Sequence, residues 1–89
     1  MEIVWRPIAL EDLEQARRYV AEHNPRAAER LWQRILTAIG RLAVLPGLGR
    51  SGRVEGTREL VVARTPYIVA YTVIRDEVMI LSIIHSARR

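Results

Sequence analysis

Hydrophobic residues in the first half of the chain recur at helical spacing. Between residues 8 and 22, apolar side chains return every three or four positions with charged residues between them, which predicts an amphipathic helix. A second helix is predicted to begin at Asn24-Pro25, because asparagine caps helices and proline suits the first helical position. Pro46-Gly47 is expected to end it. The apolar stripes are Leu10, Leu13, Ala16 and Val20 in the first helix, and Leu31, Ile35, Ile39 and Leu42 in the second.

Short apolar segments bounded by turn residues predict strands in the remaining parts of the chain. The candidates are residues 3–5, which Pro7 stops, and then residues 57–63, 67–74 and 78–85, with a hairpin connection at 75–77. The predicted order is β-α-α-β-β-β in a single domain of residues 1–89. This is an α+β fold in which two helices pack on a small, mostly antiparallel sheet.

The two longest strand candidates are apolar on both faces. In residues 67–74 both alternating sets of side chains are mostly apolar, and residues 78–85 follow the same pattern. Such strands are typical of sheets covered on both sides. Two helices of this length cover only one face of a small sheet, so a surplus apolar surface is expected to bind a partner, unless loops and the C-terminus cover it.

The net charge of the chain indicates which kind of partner would bind this surface. The chain has 89 residues, a net charge of +4 and a pI near 10.6, and all fourteen of its cationic residues are arginines. Residues 47–89 hold seven arginines against four acidic residues, so +3 of the +4 lies in the second half. This balance favours an acidic partner, either nucleic acid or an acidic protein segment.

Composition also restricts the chemistry. There is no cysteine, which excludes disulfides and thiolate catalysis and is compatible with a reducing cytoplasm. The N-terminus lacks a signal-peptide layout and the apolar runs are strand-sized, so a soluble, cytoplasmic protein is expected. His23 and His85 are the only histidines, and neither has carboxylates at ligand spacing. No metal or other cofactor is predicted.

A glycine-rich stretch follows the second helix. Its glycines allow sharp turns and a close approach of the backbone to a partner, and arginines surround it. Guanidinium groups suit phosphate and carboxylate, so a cationic contact surface built on a sheet is predicted. The stretch lacks the Lys-Ser/Thr of a phosphate-binding loop and follows a helix, which makes nucleotide binding a poor fit. The residues are Gly49, Gly52 and Gly56 with Arg50, Arg53, Arg58 and Arg64.

His85 is the one candidate for proton transfer. It closes the last predicted strand, from which it could point toward Arg58 or Arg64. Imidazole flanked by guanidinium groups could serve acid–base chemistry on a phosphodiester. The alternative is a histidine bonded to backbone at a strand end. Tyr67 and Tyr71 are expected to pack in the core, with base stacking as the alternative.

Several short motifs, in one order along nearly the whole chain, resemble the RelE/ParE superfamily of toxins from bacterial type II toxin–antitoxin modules, and the ParE branch in particular. The early motifs are the strand ending in Trp5, Glu11-Asp12-Leu13, Tyr19-Val20 and Asn24-Pro25-x-Ala27-Ala28-Glu29-Arg30-Leu31. The later ones are Pro46-x-Leu48-Gly49-Arg50, Gly52-Arg53-Val54-x-Gly56-Thr57-Arg58-Glu59-Leu60-Val61, Pro66-Tyr67-Ile68-Val69-x-Tyr71 and Ile80-Leu81-x-Ile83-Ile84-His85-x-Ala87-Arg88.

The resemblance implies one of three activities. ParE-like toxins are understood to poison DNA gyrase without being enzymes, and RelE-like toxins are ribosome-dependent mRNA endoribonucleases. The nuclease branch uses strand arginines and an acid–base tyrosine or histidine in a C-terminal tail. A third possibility is a module that binds its antitoxin but has lost toxicity. This sequence ends at Arg89 before any tail tyrosine, which favours gyrase. On the nuclease alternative the catalytic residues would be Arg58, Arg64, His85 and Arg88.

The resemblance also implies a cognate antitoxin whose C-terminal region folds as it binds the toxin. The residues predicted to contact the toxic target are Arg50, Arg53, Arg58, Arg88 and Arg89. Those predicted to contact the antitoxin are Leu60, Val62, Tyr67, Val69, Tyr71 and Ile80.

Overall fold

The computed structural model describes the backbone of residues 1–88 and the side chains of residues 1–87. Arg89, a predicted target contact, lies outside the described residues, and the side chain of Arg88 is not described either. The elements are β1 (Glu2–Trp5), α1 (Pro7–Ala21), α2 (Pro25–Leu42), β2 (Arg50–Ser51), β3 (Arg58–Val61), β4 (Tyr67–Ile74), β5 (Glu77–His85) and a closing 3-10 turn (Ser86–Arg88).

The strands form one five-stranded sheet in the order β1-β5-β4-β3-β2. β1 pairs with β5 in parallel, and every other neighbouring pair is antiparallel. The predicted α+β class and the β-α-α-β-β-β order are confirmed, and the short strand β2 is an addition that the pattern did not predict. Neither helix in the described residues is long and apolar enough to cross a membrane.

The start of α2 follows the predicted chemistry. The side chain of Asn24 accepts a hydrogen bond from the backbone N–H of Ala27 at 3.1 Å, and Pro25 occupies the first helical turn. This cap satisfies one of the backbone donors that a helix leaves unpaired at its N-terminus. The predicted stripe Leu31, Ile35, Ile39 and Leu42 is buried.

Both helices lie on the same face of the sheet, and the core lies between these layers. Trp5 and Trp32 are partly buried and pack at the margin of this core. Arg17 of α1 contacts two residues of α2. Its guanidinium lies 4.6 Å from the centre of the Trp32 ring and 2.8 Å from a carboxylate oxygen of Glu29. The contacts hold α1 and α2 as one layer above the sheet.

The helix-covered face includes most of the residues predicted to contact the antitoxin. Val69, Tyr71 and Ile80 are fully buried in the core, and Val62 and Tyr67 are only 2% and 4% exposed. Side chains with no exposed surface cannot form a docking face in this fold, so the prediction is corrected for Val69, Tyr71 and Ile80. Leu60 is partly buried against the same core. Leu60, Val62 and Tyr67 do reach the walls of surface grooves.

The opposite face of the sheet is only partly open. Val61 and Ile74 are 54% and 51% exposed, whereas Ile68 and Glu59 on the same face are buried. The loop before β3 covers part of this face, since the Thr72 hydroxyl donates to the Gly56 carbonyl at 2.7 Å. The surplus apolar surface expected from the sequence is therefore smaller than the alternation pattern predicts.

Asp12 of α1 supplies a hydrogen-bond acceptor to a part of β5 that has no neighbouring strand on one side. β1 ends at Trp5, which is paired with Ile80, so β5 continues without a strand on this side. Asp12 accepts a hydrogen bond from the backbone N–H of Ile83 at 3.0 Å. The carboxylate thus satisfies a partly buried strand donor and fixes the position of α1 over β5.

Replacing Asp12 with alanine should lower the free energy of unfolding by about 1–3 kcal/mol, because the Ile83 N–H loses its acceptor in a partly buried site. Asp12→Asn keeps an acceptor oxygen and should lose less. Urea unfolding of both variants measures the difference, with Glu14→Ala as the exposed control on the same helix. Equal midpoints for Asp12→Ala and the unsubstituted protein would show that this bond contributes nothing.

Candidate functional site

The glycine-rich stretch is anchored to the core by Tyr71. The ring of this residue is fully buried, and its hydroxyl donates to the Pro46 carbonyl at 2.7 Å. The same oxygen accepts a hydrogen bond from the Gly49 N–H at 2.8 Å. One buried hydroxyl therefore satisfies two backbone groups and fixes the path of the chain between α2 and β2.

A glycine is needed at position 49 because there is no room for a side chain there, and not because the backbone adopts a conformation that favours glycine. A Cβ atom at this position would lie 2.8 Å from two atoms of the Tyr71 side chain and 2.9 Å from the carbonyl oxygen of Glu59. Those separations are far inside van der Waals contact, so no larger residue fits without movement. The glycine lets the backbone approach β3, where Arg50 pairs with Glu59.

Arg58 supports this same segment from outside. Its guanidinium donates to the Gly49 carbonyl at 2.8 Å, with a longer contact of 3.5 Å to the Gly47 carbonyl. Arg58, one of the residues predicted to bind the target, is thus engaged in hydrogen bonds within the chain, and these bonds support a structural role for it.

The rest of the stretch folds into a compact turn. Gly52 donates its N–H to the Thr57 carbonyl at 2.8 Å, and Thr57 donates its own to the Val54 carbonyl at 3.1 Å. Gly56 has a φ of 85°, the left-handed conformation that glycine adopts without strain. Arg50 and Arg53 are exposed on this framework. We call residues 47–58 the arginine loop.

His85 lies at the far end of β4 from the arginine loop. Its ring meets the ring of Tyr67 edge-on, with centroids 5.2 Å apart. Its Nδ1 atom accepts a hydrogen bond from the Ala87 N–H at 3.1 Å. A ring nitrogen that accepts is unprotonated, so in the neutral ring the proton lies on Nε2. In this arrangement His85 has a proton to donate at Nε2, and its basic nitrogen is occupied.

The four residues of the predicted nuclease alternative do not all come together. Arg64 and His85 line one pocket of about 230 Å³. Arg58 pairs with Tyr71 and His85 pairs with Tyr67. The four-residue separation along β4 places these pairs about 13 Å apart. His85 was expected to point toward Arg58 or Arg64. Arg58 is not its neighbour, because the two residues lie on strands on opposite sides of β4, whereas Arg64 lines the same pocket as His85.

Arg88 is described only through its backbone. It ends the 3-10 turn Ser86–Arg88, and this turn is held to the sheet by the Ser86 N–H, which donates to the Pro66 carbonyl at 2.8 Å. The predictions that Arg88 and Arg89 contact the target therefore stay predictions.

Sequence reasoning missed a second group of arginines on α2. Arg30, Arg34 and Arg41 follow one another at steps of four and seven residues, which places them along one side of the helix. Within the described part of the chain, none has a carboxylate at ion-pair distance, since the ion pair found there joins Arg17 and Glu29. The helical spacing was a usable signal for this group.

Among the described residues, no group of three or more His, Asp or Glu side chains could hold a metal ion. Guanidinium groups are instead gathered at the arginine loop and along α2. Such an arrangement can bind carboxylates or phosphates but supplies few groups for proton transfer.

Comparison with known proteins identifies relatives of this chain. Residues 3–89 match the family model described as the ParE toxin of the type II toxin–antitoxin system parDE. The chain is 44% identical over 84 residues to a protein named as toxin Y4kP of Sinorhizobium fredii, an alignment that covers 94% of this chain and 86% of that protein. It is 40% identical over 87 residues to Toxin RelE2 of Caulobacter vibrioides, covering 98% and 97% of the two chains.

The fold matches a solved toxin–antitoxin structure. A chain from the chromosomal ParDE system of P. aeruginosa superimposes with a TM-score of 0.84 and 30% sequence identity, covering 96% of this chain and 95% of that one. Family model, sequence relatives and fold agree over almost the full length. The chain belongs to the ParE toxin family of type II toxin–antitoxin systems, within the RelE/ParE superfamily.

Proposed function

We propose that this toxin arrests growth by binding and poisoning DNA gyrase without cleaving a phosphodiester itself, and that a cognate antitoxin neutralises it in the cytoplasm. The observation that carries the proposal is the arginine loop. Arg50 and Arg53 are exposed on a segment that Tyr71 and Arg58 anchor through backbone hydrogen bonds. A fixed cationic surface is suited to recognition, because little conformational freedom is lost on binding.

The proton-transfer groups give further support. Ribonuclease chemistry needs one group to activate the 2′-hydroxyl and a second to protonate the leaving oxygen. The basic nitrogen of His85 is occupied by the Ala87 N–H, and Tyr67 is buried. Arg58, which would stabilise the charged transition state, is on the other side of β4 and bonded to Gly49.

A ribosome-dependent mRNA endoribonuclease is the second candidate. The observation that favours it is the pocket in which Arg64 and His85 lie together with Tyr19 and Thr65. One of the relatives also carries the name Toxin RelE2. On this reading His85 would act as the general acid from Nε2, and the ribosome would supply the base.

A His85→Gln substitution separates the two candidates. It should leave growth arrest in induced cells within about twofold of the unsubstituted toxin, because the proposed mechanism uses no proton transfer at this residue. Purified toxin incubated with gyrase and supercoiled DNA should accumulate cleaved DNA complexes, and prior mixing with the antitoxin should prevent this. Cuts at codon boundaries in ribosome-bound mRNA that disappear in His85→Gln would replace gyrase poisoning with the nuclease. A folded toxin that does neither would leave a module that only binds its antitoxin.

A further inference from the structure

A pocket opens at the end of the sheet that is far from the arginine loop. It has a volume of about 230 Å³ and lies between the start of α2, the turn between β3 and β4, and the end of β5. Arg30 and Arg34 of α2, Arg64 of the turn and His85 line it, and we call it the Arg64 pocket. Among the described residues that line it, none is Asp or Glu, so the charge of its wall is positive.

The guanidinium groups of this pocket have no anionic partner among the described side chains. Arg30 and Arg34 are one helical turn apart, which places their Cβ atoms about 5–6 Å from each other. Within residues 1–87 the ion pair joins Arg17 and Glu29, so no carboxylate described there is within ion-pair distance of the pocket arginines. Like charges on neighbouring turns repel each other, and an anion placed between them removes this repulsion. The cluster is therefore suited to a negatively charged ligand.

The turn that carries Arg64 holds it in an unfavourable backbone conformation. Its φ is 63°, in the left-handed region that residues other than glycine, asparagine and aspartate seldom adopt. Thr65 fixes the turn, since its hydroxyl donates to the Val62 carbonyl at 2.9 Å and accepts from the Tyr67 N–H at 3.1 Å. Glycine would relieve the strain but would also remove the guanidinium group. A strained arginine in a pocket wall indicates a binding role.

The donors of the pocket come from three directions, because two belong to α2, one to the turn and one to the end of β5. The His85 donor is Nε2, since Nδ1 accepts the Ala87 N–H. One guanidinium fork satisfies a planar carboxylate, whereas a tetrahedral phosphate accepts hydrogen bonds from several sides. At the roughly 30 Å³ that a water occupies, the 230 Å³ pocket has room for about seven non-hydrogen atoms, as in a phosphodiester with its two ester carbons.

An exposed aromatic side chain lies at the rim of the Arg64 pocket. Tyr19 of α1 is 63% exposed and lines both this pocket and the larger groove between α1 and β5. Arginines beside an exposed ring are the combination with which proteins hold a phosphate while they stack the adjoining base. The larger groove is less suited to a second phosphate, because Asp12 and Glu22 line it together with Arg18. The site therefore fits one phosphate and one adjoining base of a nucleic acid.

We propose that the Arg64 pocket binds a backbone phosphodiester of DNA without cleaving it, so that the toxin contacts the DNA that gyrase has cut as well as gyrase itself. The arginine loop then faces the enzyme. The Arg64 pocket, at the other end of β4, holds one phosphate with Tyr19 against the adjoining base. A toxin that bridges enzyme and DNA slows their separation, because both contacts must break for either partner to leave. This inference rests on the proposed function and adds DNA to it as a direct ligand.

The test measures binding of the purified toxin to a short fluorescent DNA duplex in the absence of gyrase. Arg30→Gln/Arg34→Gln/Arg64→Gln should weaken binding by at least about tenfold at about 50 mM salt. The plot of log K against log salt concentration should become less steep by about 1, because about one phosphate contact is lost. Fluorescence anisotropy at several salt concentrations measures both quantities.

The matched control is Arg6→Gln/Arg41→Gln/Arg75→Gln. It removes three positive charges from exposed positions that do not line the pocket. Arg41 lies on α2, and Arg75 is left-handed like Arg64, with a φ of 57°. The control should bind DNA within about threefold of the unsubstituted toxin. Equal loss of DNA affinity in the control and in a folded pocket variant, or no loss in either, would overturn the proposal.

Titration of the unsubstituted toxin with dimethyl phosphate tests the pocket without any substitution, and so decides the matter even where the pocket variant does not fold. The NMR signals of the Nε–H groups of Arg30, Arg34 and Arg64 should shift, and acetate at the same concentration should shift them less. Larger shifts with acetate would assign the pocket to carboxylates of a protein segment and overturn the proposal. A matching RNA duplex that binds more tightly than the DNA, or that is cut, would replace DNA as the ligand.

Failure of the pocket and failure of the proposed target are distinguishable. If the unsubstituted toxin traps gyrase on DNA and the folded pocket variant does so at the same concentration, the pocket proposal is overturned and gyrase poisoning stands. If the toxin binds DNA through the pocket but traps no gyrase, the phosphodiester site is supported and gyrase is removed as the target.

Discussion

Replacing Gly49 with alanine should lower the free energy of unfolding by about 1–3 kcal/mol, as overpacking of a tight site does. The added Cβ would lie 2.8 Å from the Tyr71 side chain and 2.9 Å from the Glu59 carbonyl oxygen. Tyr71 is fully buried and the second neighbour is strand backbone, so neither can move aside cheaply. Each kcal/mol corresponds to roughly 4–8 °C in the melting temperature of a domain of this size. Thermal and urea unfolding both measure the loss.

The chain offers a matched control two residues away. A Cβ added at Gly47 would meet nothing within 4 Å, so Gly47→Ala should change the unfolding midpoint little. Tyr71→Phe tests the other half of the contact. It removes the hydroxyl that bonds Pro46 and Gly49, and the loss of one buried and one partly buried hydrogen bond is expected to cost about 1–3 kcal/mol. If Gly49→Ala unfolds at the midpoint of Gly47→Ala, the close approach of this segment to Tyr71 does not hold in solution.

The hydrogen bonds of the Tyr71 hydroxyl link the stability of the core to the proposed binding of the target. Tyr71 belongs to the central strand of the sheet, and its hydroxyl fixes the segment from which Arg50 and Arg53 project. Loosening the contact would let the arginine loop sample more conformations, and ordering it again would reduce affinity for the target. Tyr71→Phe should therefore weaken toxicity even where most of the protein stays folded.

Local rules of sequence predicted the helices and the order of elements well. Asn24 and Pro25 act within one turn, so the start of α2 follows from those residues alone. The buried stripe of α2 follows from spacing in the same way. The two residues of β2 could not be found by alternation, since Arg50 and Ser51 are both exposed and are held only by pairing with β3.

The choice of buried face needed the tertiary structure. Both alternating sets of β4 are apolar, so the sequence does not say which one meets the helices. The set containing Tyr67, Val69 and Tyr71 does so, which left the predicted antitoxin contacts largely inside the core. The structural role of Arg58 could not be predicted from the sequence for a similar reason. Its partner is a backbone carbonyl nine residues earlier in the chain, and nothing in a run of arginines marks which guanidinium turns inward.

Removing both exposed charges of the loop, in Arg50→Gln/Arg53→Gln, should raise the toxin concentration needed to trap gyrase on DNA by at least about tenfold. Glutamine is preferred to glutamate here because Glu59 is buried beside both positions, and the Arg53 N–H donates to its carboxylate at 3.3 Å. A second carboxylate nearby would confuse lost recognition with repulsion inside the fold. The melting temperature of the double variant should stay close to that of the unsubstituted toxin, because both arginine side chains are exposed and the substitutions keep the backbone N–H of residue 53 that bonds Glu59.

The control is Arg6→Gln/Arg26→Gln, which removes the same charge from exposed positions remote from the arginine loop. It should trap gyrase at nearly the unsubstituted concentration. Arg50→Lys/Arg53→Lys keeps the charge but not the planar donor fork, so it should recover only part of the activity if the contact is bidentate. Full toxicity of a folded Arg50→Gln/Arg53→Gln toxin, at low and at high salt, would show that the target binds elsewhere on the molecule.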